Sequence, residues 1–175
     1  ALELPGKDAV ALEWIRLGIR RDRREHEGTE WLHVRILEAK LAHAAGKWDR
    51  NRSIAGIAFD DALVPALPKA LPAGNDGKPV SLHALDSAFR YQLSERMQFV
   101  APRDWVVANL LSDWALLNMA GGPLENAKSL HALALRYGQQ QSLRWAQRTA
   151  RIDRIVAGGH DAGAYECPIC APRRG

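Results

Sequence analysis

The sequence predicts an all-α fold, and three observations carry that prediction. Ala and Leu number 28 and 22 among the 175 residues, whereas Ile, Val and Thr together number only 18. The first two are good helix formers and the other three favour strands. Apolar residues recur at helical spacing through most of the chain, and Gly or Pro closes each periodic stretch.

The bulk composition is that of a globule. Hydrophobic residues make up 47% and charged residues 25%, ordinary values for a packed domain. The length suits one domain or a stack of small repeats. No apolar run approaches the roughly 20 residues that span a bilayer. Glu3, Lys7 and Asp8 interrupt any apolar core at the start, so the opening is not patterned as a signal peptide. The expected compartment is the cytoplasm by default, or the bacterial periplasm or envelope if the chain is a processed fragment.

The predicted elements follow in order. Residues 8–23 form a helix that Asp8 caps, with Val10, Trp14 and Leu17 at i, i+4 and i+7 on its apolar face. Arg20, Arg21, Arg23 and Arg24 crowd its end, where the dipole favours cations. Residues 29–45 form a second helix with Thr29 as N-cap; it is apolar nearly all round and so is expected between others. Residues 46–80 contain Pro65, Pro68, Pro72 and Pro79 and cannot be regularly helical, because an internal Pro removes a donor and clashes one turn back. The apolar residues of this irregular insertion, among them Ile54, Ile57, Phe59 and Leu67, favour packing on the helices over solvation. Residues 81–99 form a third helix capped by Ser81, and Pro102 opens a fourth that Gly121 and Gly122 stop. Residues 123–137 and 140–157 complete the set. Together these residues (1–159) make one helical domain, and 160–175 a flexible C-terminal tail.

Helix pairs joined by short Gly-containing turns point to a repeat of 30–40 residues. Trp14-Ile15-Arg16-Leu17-Gly18 matches the W-x2-L-G opening of a tetratricopeptide repeat, and the opening residues ALELPG resemble the close of a preceding one. Leu111, Trp114, Ala115, Gly122, Ala127, His131 and Ala134 give a second match. The chain thus resembles the tetratricopeptide repeat (TPR) family in a degenerate form. Arg21 and Asn118 stand where that family has an aromatic residue, and the 46–80 segment has no place in its pattern. The string HEGTEWLHVRILEAKLA is also similar to stretches of bacterial envelope-associated repeat proteins.

The resemblance implies antiparallel helix pairs stacked as a right-handed array. It further implies a scaffold that binds a peptide or partner protein on a concave helical surface. The groove would take Leu12, Ile15 and Ile19 from one repeat and Asn109, Ser112, Leu116 and Met119 from the other. Small residues at 115, 127 and 134 would let paired helices cross closely. The VPALPKALP stretch is itself a candidate occupant of the groove, as an extended ligand would be.

Other chemistries leave fainter traces. Glu30 and His33 stand one helical turn apart, half of the pattern used by carboxylate-bridged metal bundles, and give a metal-dependent helical enzyme as the alternative reading. Arg144, Arg148 and Arg151 form a basic patch on the sixth helix that an acidic partner or nucleic acid could use. Cys167-Pro168-Ile169-Cys170 is a C-x2-C knuckle, and with His160 it could hold zinc if a fourth ligand came from elsewhere. No phosphate loop or nucleophile elbow is present, so the expected class is a binding module without a cofactor. Nothing in the pattern decides the oligomeric state.

Overall fold

Residues 6–158 and 167–170 are described by the computed structural model. Among the described residues six α-helices run in chain order: α1 (Asp8–Arg21), α2 (Glu30–Ala44), α3 (Leu82–Met97), α4 (Trp105–Gly121), α5 (Leu124–Tyr137) and α6 (Leu143–Ala157). A short 3₁₀ turn (Glu25–Gly28) precedes α2. Among the described residues there is no strand, only an isolated bridge between Ala73 and Pro79. The fold is all-helical, and each predicted helix is found within three residues of its expected bounds.

Local chemistry accounts for most of these bounds. The Ser81, Asp104 and Ser142 side chains accept the backbone N–H groups of Ala84, Val107 and Trp145, which gives α3, α4 and α6 their N-terminal caps. Gly138 ends α5 in the left-handed region (φ 111°), and the following N–H groups return to Leu135 and Ala134.

Two expected caps are replaced. Asp8 lies inside the first turn of α1, where its carboxylate takes Lys40 at 2.7 Å. The Thr29 hydroxyl donates to the His26 carbonyl and caps nothing. Instead Asn75, 44 residues away, accepts the Trp31 N–H through Oδ1 at 2.8 Å and donates to the Arg23 carbonyl. The start of α2 is thus capped from within the Pro/Gly segment.

The face of α1 also differs from expectation. Leu12 is its buried residue, while Val10 and Trp14 are 57% and 64% exposed. Arg16–Glu38 and Lys40–Asp8 pairs join α1 to α2. They hold the helix with its Leu12 side inward and its Trp14 side outward.

The most buried helix, at the centre, is α4. Twelve of its seventeen residues are buried, from Val106 to Gly121, and its polar residues Asn109, Ser112 and Asp113 fall on one side at helical spacing. It packs along α5 across the two-residue turn Gly122-Pro123 and against α3 on another side. Ala115, Ala127 and Ala134 are fully buried in these contacts, which lets the backbones approach closely. Phe89 of α3 stacks on Trp114 of α4, and the Trp114 indole donates to Asp86 at 2.7 Å.

The 46–80 segment is a packed layer. Ile54, Ala55 and Ile57 are buried, and Trp48, Phe59, Leu67 and Leu71 lie against the same core. Of the C-terminal tail, residues 167–170 are described, and they are docked rather than loose. Ile169 is 2% exposed, its carbonyl meets His83 Nδ1 at 3.2 Å, and its side chain fills a notch beside Gly122. A Cβ at Gly122 would come within 2.5 Å of Ile169 Cδ1 and 3.1 Å of the Asn118 Cα. Gly122→Ala is therefore expected to lower stability by about 1–3 kcal/mol. Chemical denaturation measures that loss, and hydrogen exchange should show residues 167–170 losing protection first.

Candidate functional site

Of the groove positions expected on α4, Asn109 lies under the chain's own segment. Asn109 is 8% exposed and fully engaged. Its Oδ1 accepts the Ile54 N–H at 3.0 Å, and its Nδ2 donates to the Arg50 and Arg52 carbonyls at 3.1 and 2.9 Å. A turning stretch of backbone is thus held by one carboxamide. The occupant is residues 50–57, upstream of VPALPKALP; from that motif, Leu67 reaches the end of α4 beside Gly121.

The other groove positions divide. Ser112 and Leu116 are partly exposed. Met119 is 2% exposed and packs with Ala127, Ile152 and Leu124 between α4, α5 and α6, so it belongs to the core. On α1, Leu12 faces the core and Ile15 and Ile19 are half-buried. These seven residues do not make one open concave surface.

One turn beyond Asn109, α4 presents Asp113. Ser53 donates its hydroxyl to Asp113 Oδ2 at 2.7 Å, and the same oxygen of Ser53 accepts the N–H groups of Gly56 and Ile57. Asp113 is 9% exposed, and burial pushes its carboxyl up to about 7, against which the Ser53 bond acts only in part. It forms the inner wall of a cavity of about 380 Å³, lined also by Asn51, Ile57, Phe59, Leu116 and Arg148. No pattern in the sequence marked Asp113: its partner is 60 residues away.

The basic patch is largely consumed in closing this cavity. Arg148 is 4% exposed, and its Nη2 donates to the Ala62 carbonyl at 2.7 Å and the Asp60 carbonyl at 3.5 Å. Arg144 pairs with Asp61 at 3.0 Å and thereby holds that carboxyl below the usual range. The Nε atoms of Arg144, Arg148 and Arg151 are buried and accepted by nothing among the described residues. Arg148 lies 5.5 Å from the Trp145 ring, and His131 stacks on that indole at 3.9 Å. The expected stripe for nucleic acid is thus a clamp on residues 60–62, with Arg148 withdrawn from solvent.

The Glu30 and His33 pair does meet in space. Glu30 Oε2 lies 3.6 Å from His33 Nδ1, and Oε1 lies 3.8 Å from His26 Nε2. His26 also meets the Tyr91 hydroxyl at 2.7 Å, and burial raises the pKa of that phenol. His26 and Glu27 hold φ of 50° and 58°, the left-handed region that costs a non-glycine residue free energy. Among the described residues, no three His, Cys, Asp or Glu side chains form a group able to hold a metal.

The zinc expectation at the knuckle is corrected. Cys167 and Cys170 are joined as a disulfide, so neither offers the thiolate that zinc requires. His160 lies outside the described residues. Cys170, His83, Asp86, Arg90 and Trp114 line a second cavity of about 480 Å³. No described helix is long and apolar enough to cross a membrane. Comparisons of the chain with protein-family models, with curated proteins and with solved structures find no match.

Two outcomes follow for the roof over α4. Asn109→Ala strips partners from one buried N–H and two carbonyls, so a loss of about 2–4 kcal/mol is expected in chemical denaturation. The Asp113 carboxyl titrates at about 7 when folded and near 3.8 when unfolded. Its stabilising contribution is therefore complete below pH 3.8 and is lost as pH rises to about 7. Relative to Asp113→Asn, the native protein should lose roughly 2–3 kcal/mol between pH 5 and 8, read from paired urea melts.

Proposed function

We propose that the chain is a non-catalytic helical interaction module of the tetratricopeptide-like kind, which binds a partner protein on an exposed helix face. The single observation that carries this reading is the outward stripe of α1. Trp14 and Val10 are 64% and 57% exposed one turn apart, with half-buried Leu17 continuing the row. A large aromatic left in water at the centre of an apolar stripe is the residue type that dominates protein interfaces. Arg20, Arg21, Arg23 and Arg24 stand exposed beyond its C-terminal end. The partner that suits this surface presents an apolar strip bordered by carboxylates, and the surface is distinct from the roofed face of α4.

The test compares native protein with the Val10→Ser/Trp14→Ser double variant and with Phe99→Ser, which removes another exposed apolar side chain, 84% exposed. The native chain and Phe99→Ser should retain the same partner from cell extract, with retention weakening as salt rises. The double variant should release it without a change in melting temperature. Absence of any retained partner, or equal retention by the double variant, would overturn the proposal.

A further inference from the structure

We propose that the cavity between α4, α6 and residues 51–61 binds a small zwitterion, an α-amino acid with an apolar side chain. In this arrangement the amino acid's ammonium meets Asp113 and its carboxylate meets Arg148. The inference is independent of the α1 surface.

Two opposite charges line one cavity without touching each other. Asp113 and Arg148 are 9% and 4% exposed, and both face the same space of about 380 Å³. No hydrogen bond or ion pair joins them: the Asp113 carboxylate has only the Ser53 hydroxyl, and Arg148 reaches two backbone carbonyls. The Arg148 Nε is buried with no acceptor. Asp61 and Asp60 attract Arg148 at a distance, but no carboxylate contacts it, and a buried charge or donor without a contacting partner is unfavourable. The fold places both on the lining of one cavity. A ligand carrying one charge of each sign supplies each of them with a contacting charged partner.

The other charged groups of the cavity are already engaged. Asp60 accepts the N–H groups of Ala62 and Ala66, and Asp61 pairs with Arg144. That leaves Asp113 as the carboxylate for an incoming ammonium. Ile57, Phe59 and Leu116 form the apolar part of the lining and suit an aliphatic or aromatic side chain. The volume falls at the small end of ligand pockets, which favours one amino acid over a longer peptide.

Isothermal titration of the whole chain with L-leucine, 3-methylbutylamine and 4-methylpentanoate separates the two charges. The amine lacks the carboxylate and the acid lacks the ammonium, while all three keep the aliphatic group. Leucine should bind at least about tenfold more tightly than either analogue, the worth of one well-made charged contact. Asp113→Asn should weaken leucine about tenfold or more and leave 4-methylpentanoate unchanged. Because Asp113 must be ionised to meet the ammonium, leucine affinity should fall about tenfold from pH 8 to pH 6, across its value of about 7. Arg148 also holds the 60–62 carbonyls, so its part is read from the amine rather than from a substitution. The Val10→Ser/Trp14→Ser variant should bind leucine as the native chain does, so failure of the partner-binding proposal leaves this one standing. The inference is overturned if leucine and phenylalanine give no binding at millimolar concentration. It is equally overturned if the single-charge analogues match leucine, or if neither Asp113→Asn nor pH changes its affinity.

Discussion

The carboxamide of Asn109 is the interaction on which the rest of this structure depends. A helix as apolar as α4 must be covered on every side, yet α3, α5 and α6 cover it only in part. The remaining side is roofed by residues that form no helix or strand, so their backbone donors and acceptors have no ladder to join. Buried peptide groups of that kind are tolerated only when each finds a partner. Asn109 supplies one acceptor and two donor contacts to a single stretch. Ser53 extends the same device by receiving two N–H groups on one oxygen. An irregular segment is thereby admitted to a helical core, and Ile54 and Ile57 enter with it.

The same roof sets the electrostatics beneath it. Asp113 lies one turn after Asn109 and would be an ordinary groove residue if α4 were open. Covered by residues 51–61, it loses water and gains a single hydroxyl. Arg148 closes the far side by gripping the Ala62 carbonyl, and the Trp145 ring it lies against is itself held by His131 of α5. The chain has chosen two charged residues where apolar ones would fill the space at lower cost.

Much of the architecture was legible in the residues because it is local. Ser81 and Gly138 act within a few positions of themselves, and helical period plus such stops defines all six helices. The face of α1 was misread because Val10, Trp14 and Leu17 form as regular an apolar row as Leu12, Ile15 and Ile19. Packing of the Leu12 side on the second helix, together with the Arg16–Glu38 and Lys40–Asp8 pairs, decides between them. The cap that Asn75 gives α2 and the Ser53–Asp113 bond were not readable, since they join positions 44 and 60 residues apart. The knuckle showed its spacing but not its oxidation or the notch at Gly122 that receives Ile169.

The span of these contacts also governs how the molecule assembles and opens. The α4–α5 pair closes across two residues, whereas Asn109 meets Ile54 across 55. Chain entropy opposes the longer closure more strongly than the shorter one. A layer held by a few side-chain bonds and by no helix or strand ladder is the kind that opens locally, below the free energy of global unfolding. Each such excursion would return Asp113 to water and to its ordinary acidity, so between pH 3.8 and about 7 it releases its proton on opening and takes it back as the roof closes.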